Sequence, residues 1–184
     1  MKVTRALTAL LAVAAVVAVP AGAAGGSAAG GHHAKPKPKC QGLKATIVGK
    51  RGDDKLLLGT DGRDVIVSRG GADTVRALGG DDFICTKGSG SLVIAGSGDD
   101  IVVMGGEVSQ ALLGSGDDLA AGGEVISAFS GGSGDDALIG NAGDDFLKGG
   151  SGDDLLEGAD GTDECDGGSD LDEANDCETV TNVP

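Results

Sequence analysis

Apolar residues recur every nine positions over most of the chain, and an acidic or small polar residue stands two positions before each of them. The segment Ser-Gly-Asp-Asp occurs at 97–100, 115–118, 133–136 and 151–154, in steps of 18 residues. A fixed short period of this kind is typical of a solenoid, in which each repeat is a turn followed by a short strand. The predicted central apolar column is Leu56, Ile66, Val75, Ile84, Val93, Val102, Ala111, Ala120, Phe129, Leu138, Leu147, Leu156, Cys165 and Ala174.

The residue two positions before each apolar one is called the marker here. Consecutive nonapeptides alternate between the two edges of a coil, so the markers fall into two columns. The unbroken column is Asp64, Asp82, Asp100, Asp118, Asp136, Asp154 and Asp172. The interrupted column is Asp54, Asp73, Ser91, Ser109, Ser127, Asp145 and Asp163. The step from Asp54 to Asp64 is ten residues, and an extra residue near Leu57, forming a bulge, would account for it.

The segment Gly-Gly-Ser-Gly-Asp-Asp-Leu-Leu-Glu at 149–157 is similar to the haemolysin-type, or RTX, calcium-binding nonapeptide repeat. The resemblance extends over roughly residues 49–175. It implies an all-β fold, a right-handed parallel β-roll (a β-solenoid) of about seven 18-residue coils, with Ca2+ bound in the turns. The expected metal ligands are the aspartate markers Asp64, Asp82, Asp100, Asp118, Asp136, Asp154, Asp172, Asp54, Asp73, Asp145 and Asp163.

The chemistry of the markers favours calcium over a purely structural turn. Carboxylate and carbonyl oxygens in a flexible loop suit a hard cation. Neighbouring carboxylates about 5 Å apart would repel by roughly 3 kcal/mol per pair at an effective dielectric of about 20. Since the central apolar column also makes a thin core, we expect metal binding and folding to be coupled.

The serine markers predict a difference between the two edges. Where a marker is serine, the glycine two residues earlier is also lost and is replaced by Ser89, Glu107 or Val125. Both parts of the metal-binding turn therefore disappear together. We expect calcium in the six gaps of the unbroken column and a metal-free middle in the interrupted column.

Composition and charge exclude several classes of function. The chain has 184 residues, a formal net charge of −15, three Phe and no Trp or Tyr. Such a composition is common in disordered chains, but the strict period argues against disorder. A nucleic-acid partner is not expected, because it would require a basic surface. No His-Glu-x-x-His or Gly-x-Ser-x-Gly motif occurs, and both histidines precede the repeat, so no enzyme activity is expected.

The first part of the chain predicts export. In residues 1–23, Lys2 and Arg5 precede the apolar run Ala6–Val19, and small residues follow, as in a secretory signal peptide. A membrane anchor is the less favoured alternative, because the run is short for a span. Residues 24–39 predict a disordered linker, and residues 40–184 the calcium-binding repeat domain. We therefore expect a secreted, extracellular protein without a stable membrane anchor.

The four cysteines indicate disulfides in an exported protein. Three pairings are possible. We favour Cys165–Cys177, which would cap the last coil, and Cys40–Cys85, which would tie the entry segment to an early coil. Zinc binding is a weaker alternative, because no Cys-x-x-Cys motif is present.

The residues that flank the central apolar position point outward, because side chains alternate across a strand. In the sheet that follows the unbroken column, the outward residues are Val65, Val67, Phe83, Cys85, Ile101, Val103, Leu119, Ala121, Ala137, Ile139, Leu155 and Glu157. An exposed apolar face of this length would suit a second copy or another protein partner. The alternative is that these residues reflect β-propensity together with a misassigned register.

Two functions are consistent with these features. The first is an exported calcium-binding protein with a structural or interaction role outside the cell. The alternative is an extracellular adhesin or matrix component that binds a surface or a carbohydrate.

Overall fold

The computed structural model describes residues 38–184, and these residues contain strands, turns and bends without a helix. The predicted signal peptide and residues 24–37 of the predicted linker lie outside the described residues. No helix in residues 38–184 is long and apolar enough to cross a membrane.

The strands are β1 (Lys39–Cys40), β2 (Leu43–Lys44), β3 (Ile47–Val48), β4 (Leu57–Leu58), β5 (Val65–Val67), β6 (Thr74–Gly79), β7 (Phe83–Lys87), β8 (Ser91–Ser97), β9 (Ile101–Gly105), β10 (Ser109–Ser115), β11 (Leu119–Ala121), β12 (Ser127–Ser133), β13 (Ala137–Ala142), β14 (Phe146–Ser151), β15 (Leu155–Asp160), β16 (Glu164–Ser169), β17 (Glu173–Asn175) and β18 (Thr179–Thr181).

Two parallel sheets form the body of the fold. The odd-numbered strands β3 to β17 make one eight-stranded sheet, and the even-numbered strands β4 to β18 make the other. Neighbouring strands of a sheet are in an 18-residue register, as in the pairing of Ala111 with Phe129. The predicted all-β parallel β-solenoid is therefore confirmed. It has about eight turns rather than seven, because the coil begins at Ile47 and continues through Thr181.

The central apolar column forms a core between the two sheets, as predicted. Its members from Ile66 to Cys165 are at most 1% exposed and belong to one cluster. Leu56 is the exception, since it is 50% exposed while Leu57 is buried and pairs with Val75. The Asp54 N–H donates to Asp73, 19 residues later, so the extra residue lies between Asp54 and Leu57. The prediction of Leu56 as a core residue is therefore wrong.

A second inward column was missed by the sequence reasoning. In β8 the residues Ser91, Val93 and Ala95 are buried, so each strand has three inward positions: the marker, marker plus two, and marker plus four. The third position is apolar in the middle of the coil, at Ala77, Ala95, Met104 and Leu113. The core is therefore two residues deep in each of these strands and thicker than the single central column predicts.

Phe129 is the largest fully buried side chain of the core. It stands between Ala111 and Leu147 in adjacent strands. We expect Phe129→Ala to lower the free energy of unfolding of the calcium-loaded protein by about 3–5 kcal/mol, because the cavity cannot fully collapse. Phe146→Ala, in the next strand of the same sheet, removes a side chain that is 43% exposed and is expected to change stability far less. Denaturant unfolding measures both, and equal losses would contradict the packing of Phe129.

Both favoured disulfides, Cys40–Cys85 and Cys165–Cys177, are present. Cys40 belongs to an antiparallel hairpin of β1 and β2, outside the two large sheets. Lys39, which the sequence placed at the end of the linker, is part of this hairpin. The Cys40–Cys85 bond therefore fixes the entry hairpin against β7.

The outward residues of the odd-numbered sheet are more buried than predicted. The hairpin residue Cys40 packs with Val65, Val67 and Cys85 in a second apolar cluster. Further along, β11 and β13 are paired in register, and their outward residues are buried as well. The prediction of an exposed apolar face is wrong for Val65, Val67, Cys85, Leu119, Ala121, Ala137 and Ile139, which are at most 9% exposed. Pairing with a second copy through this face stays a prediction, to be checked by light scattering in millimolar calcium.

Candidate metal centre

The predicted ligands lie on the inner side of the coil, at the start of the strands. Ten of the eleven aspartates are at most 7% exposed, and Asp172, near the end of the coil, is half-buried. Their burial follows from strand geometry, because the marker, the central apolar residue and the third inward residue alternate with outward side chains. The ten are Asp54, Asp64, Asp73, Asp82, Asp100, Asp118, Asp136, Asp145, Asp154 and Asp163.

The carboxylates of the unbroken column are joined by backbone hydrogen bonds. The Oδ1 atom of each aspartate accepts the N–H of the marker 18 residues earlier, at 2.7–3.0 Å. Six such bonds connect Asp64 to Asp172, one in each of the six predicted gaps. At the first coil, the Thr46 hydroxyl donates to Asp64 Oδ1 at 2.9 Å. One oxygen of each carboxylate is therefore held in place by the adjacent coil.

The second oxygen of most of these carboxylates has no hydrogen-bond partner. An unpartnered buried carboxylate oxygen is unfavourable, and a bound cation would satisfy it. The buried Oδ2 atoms without a partner are those of Asp73, Asp82, Asp100, Asp118, Asp136, Asp145, Asp154, Asp163 and Asp172.

Several of these oxygen atoms lie directly against a glycine, at positions where a larger residue would collide with them. At Gly131, Gly149 and Gly167, five residues before a marker, an added Cβ would lie 2.1–2.5 Å from the marker Oδ2. It would also lie 2.6–2.8 Å from a carbonyl oxygen of the next coil. A carboxylate oxygen and a carbonyl oxygen thus face the same space, and this donor set fits calcium.

Side chains alone do not make a complete site. Within residues 38–184, no three His, Cys, Asp or Glu side chains come together as a metal-ligand group. An ion in a gap would therefore need backbone carbonyl oxygens in addition to the marker carboxylates. Calcium commonly takes six to eight oxygen ligands of both kinds.

Burial raises the pKa values of the marker carboxyls in the folded protein. Neighbouring carboxylates raise them further, and the hydrogen bond from the adjacent coil only partly offsets these effects. The pKa is about 6 at Asp82, Asp100, Asp145 and Asp154, about 7 at Asp118 and about 8 at Asp136.

In calcium-free buffer, the folded protein is expected to become less stable as the pH rises from about 4 to about 8. A carboxyl with a raised pKa keeps its proton in the folded chain at pH values where the unfolded chain has released it. Its contribution to the free energy of unfolding is complete below the pKa of the unfolded chain, near 3.8. This contribution is lost as the pH rises through the pKa values of the folded protein, about 6 to 8. Thermal melting between pH 4 and 8 measures this, and a melting temperature that increases with pH would contradict it.

The interrupted column keeps the same backbone position but loses its charges in the middle. Ser91, Ser109 and Ser127 are at most 2% exposed, and the Ser109 hydroxyl has no hydrogen-bond partner. Carboxylates flank this stretch at Asp73 and Asp145, whose side chains are buried in the same way. The middle of this edge therefore carries hydroxyls in place of carboxylates, and the absence of metal from it stays a prediction.

Glu178 occupies a marker position that the sequence reasoning did not find. The Asp163 N–H donates to Glu178 Oε2 at 2.6 Å. The sequence reasoning missed Glu178 because the last step is shorter than the others. Glu164 pairs with Thr179, so this step has 15 residues and not 18. The period is lost at this turn, and the acidic residue directly after Cys177 was the only signal that could have indicated it.

A second row of aspartates lies on the exposed side of the unbroken edge. Asp81, Asp99 and Asp117 each directly precede a buried marker. Here the Oδ1 atom accepts the N–H of the residue 18 positions later, as from Asp99 to Asp81 at 3.2 Å and from Asp117 to Asp99 at 3.0 Å. The buried and exposed rows therefore connect the same turns in opposite directions.

The fold and the buried carboxylates define a parallel β-roll with oxygen-lined gaps between its coils. The family model of the RTX calcium-binding nonapeptide repeat (4 copies) matches this chain over residues 58–87, 130–165 and 139–172. The repeats in these matched segments therefore belong to the RTX calcium-binding nonapeptide repeat family, whose repeats bind calcium. The matched ranges leave out the middle, where the interrupted column carries its serines. No curated protein and no solved structure matched the chain.

Proposed function

We propose that this protein is exported, folds on binding calcium and acts outside the cell as a rigid structural or interaction module. The observation that carries the proposal is the row of buried, unpartnered Oδ2 atoms in successive coils. The two disulfides fit an oxidising compartment. Residues 1–23 would direct the chain there.

The eleven aspartate markers are the proposed calcium ligands. Calcium supplies a divalent charge that neutralises carboxylates and takes up oxygen lone pairs. The chain supplies the positions: the adjacent coil fixes Oδ1 through its N–H, and Oδ2 then lies next to a glycine and near a backbone carbonyl oxygen in the C-terminal coils. Because each carboxylate is positioned only when the neighbouring coil is in place, binding and coil formation depend on each other.

The requirement for calcium is expected to differ along the coil. Gly131, Gly149 and Gly167 occupy the third inward position in the C-terminal coils, where the family model also matches. Ala95 and Leu113 occupy it in the middle and add apolar contacts to the core. The coils after residue 130 therefore have less apolar stabilisation of their own and should depend more strongly on the ion.

Small-angle scattering of residues 24–184 during a calcium titration tests the proposal. Calcium is expected to reduce the radius of gyration from about 40 Å, typical of an unfolded chain of this length, to below about 20 Å. Magnesium is the control, because it requires a more regular octahedral site and loses its water reluctantly. A chain that is compact without calcium, or that compacts equally in magnesium, would overturn the coupling of binding to folding.

Export has a separate test in the source organism. The protein should accumulate in the culture medium, and N-terminal sequencing should place its first residue close to Ala24. Protein that stays with the cells and retains Met1 would contradict the extracellular role, while leaving calcium binding unaffected.

A further inference from the structure

A cavity with a cationic lining lies at the N-terminal end of the coil. Its volume is about 510 Å³, and four of the six residues from 38–184 that line it are Lys or Arg. This concentration is unexpected in a chain with a formal net charge of −15. The lining residues are Pro38, Lys39, Arg51, Val67, Arg69 and Lys87.

Three successive coils and the entry hairpin build the cavity. Arg51 and Arg69 follow β3 and β5, and Lys87 ends β7, three neighbouring parallel strands whose carboxyl ends meet at one edge. A Cβ added at Gly70 would lie 3.1 Å from the Lys87 carbonyl oxygen and 3.6 Å from that of Arg51, so the three turns are stacked closely. Lys39 precedes Cys40, whose disulfide to Cys85 fixes it beside β7.

The cavity cations have no acidic partner in the described part of the chain. Within residues 38–184, the ion pairs are Lys50 with Asp54 and Lys148 with Asp166. Arg69 Nε donates to the Gly49 carbonyl oxygen at 2.8 Å, which orients the guanidinium without neutralising its charge. Like charges around one cavity repel each other, and an anion bound among them would relieve that repulsion.

The cations are also segregated along the chain. Nine of the ten Lys and Arg residues in the described part precede Gly88, while most of the acidic residues follow it. Within residues 38–184, the N-terminal coils are therefore the part where an anion would be attracted rather than repelled.

We propose that this cavity binds an organic phosphate or sulfate. Arginine presents a planar set of donors that binds phosphate-type oxyanions with two hydrogen bonds, and lysine adds point charges. Val67 also lines the cavity, although it is only 1% exposed. The volume lies in the range of small-molecule pockets, so the cavity has room for the carbon body that bears the oxyanion.

Calorimetry on the calcium-loaded full chain tests this site, with glucose 6-phosphate as the probe and glucose as its neutral control. Glucose 6-phosphate should bind and glucose should not, and affinity should fall as salt is added. The double variant Arg69→Gln with Lys87→Gln should bind at least about tenfold more weakly, since two charge-assisted hydrogen bonds are lost. The matched control, Lys55→Gln with Arg76→Gln, makes the same charge change outside the cavity and should bind normally.

Vesicle sedimentation distinguishes a soluble ligand from a lipid headgroup that carries the same oxyanion. Phosphatidylglycerol and phosphatidylcholine vesicles are compared at constant free calcium. Binding of glucose 6-phosphate supports a soluble ligand, and selective binding to phosphatidylglycerol that the cavity variant loses supports a headgroup. Absence of both, or equal weakening by the control variant, would overturn the proposal without affecting the calcium sites.

Discussion

The substitution Gly134→Ala is expected to destabilise the calcium-loaded protein by more than about 4 kcal/mol, as steric overlap with fixed backbone does. Gly134 has a φ of +121°, and an added Cβ would lie 2.1 Å from the Gly116 carbonyl oxygen in the preceding coil. Neither the backbone angle nor the neighbouring coil can adjust without separating the turns that face the same gap. Denaturant unfolding in calcium measures the loss.

Gly62→Ala is the matched control for that substitution. Gly62 occupies the same repeat position, two residues before the first marker of the unbroken column, but nothing lies within 4 Å of an added Cβ there. Its φ is outside the left-handed region, so we expect a change of less than about 1 kcal/mol. Equal losses of stability from the two substitutions would contradict this account. They would show that the position within the repeat, and not the stacking of coils, determines the loss.

Asp118→Asn is expected to remove about two bound calcium ions. Asp118 belongs to two gaps, because it accepts the Asp100 N–H on one side and donates its own N–H to Asp136 on the other. Asparagine keeps the shape and the Oδ1 acceptor but loses the charge. At calcium concentrations about 100 times Kd, each lost site lowers stability by about 2.7 kcal/mol, so the total is about 5 kcal/mol.

The adjacent substitution Asp117→Asn tests whether calcium is bound by the exposed row of aspartates or by the buried row. Asp117 is exposed, and its Oδ1 atom accepts the Asp135 N–H at 3.0 Å. The substitution Asp117→Asn makes the same chemical change as Asp118→Asn, one residue away. We expect the calcium stoichiometry from equilibrium dialysis to be unchanged. Loss of the same number of ions from both variants would assign calcium to the exposed row instead.

The period of the sequence predicted the fold closely because every coil repeats the same local requirements. A marker aspartate, an apolar residue two positions later and a glycine turn recur at fixed steps, so Val93 and Leu138 could be placed in the core without coordinates. The two disulfides also followed from the need to fix the two ends of the coil. The marker, the apolar residue and the glycine turn depend on position within the repeat alone.

The features that the sequence did not predict arise where one coil meets another or where the period changes. Leu57, and not Leu56, occupies the core position, because the extra residue of this repeat lies before Leu57. The sequence alone does not show on which side of the strand position the extra residue lies. Leu113 stands at a motif position where glycine is usual, so its inward direction was overlooked. Glu178 is reached only through a turn shortened by three residues, and the cationic cavity depends on the way the entry hairpin packs.

Asp170 shows how backbone geometry can be kept when the motif is lost. It stands two residues before Asp172, where the other markers of the unbroken column are preceded by glycine. In the structure Asp170 adopts the left-handed φ of +86° that glycine would adopt. The Asp154 N–H still donates to Asp172 Oδ1 at 3.0 Å, so the last gap retains its ladder hydrogen bond.

The most direct test of calcium-held coils is thermal melting by far-ultraviolet circular dichroism at pH 8, in calcium and in excess chelator. At this pH the buried carboxyls must ionise, and without the ion their repulsion and burial are uncompensated. A cooperative β-sheet transition should appear in calcium and be absent in chelator and in magnesium. An unchanged spectrum and melting temperature after chelation would contradict the role of the ion in holding the coils together.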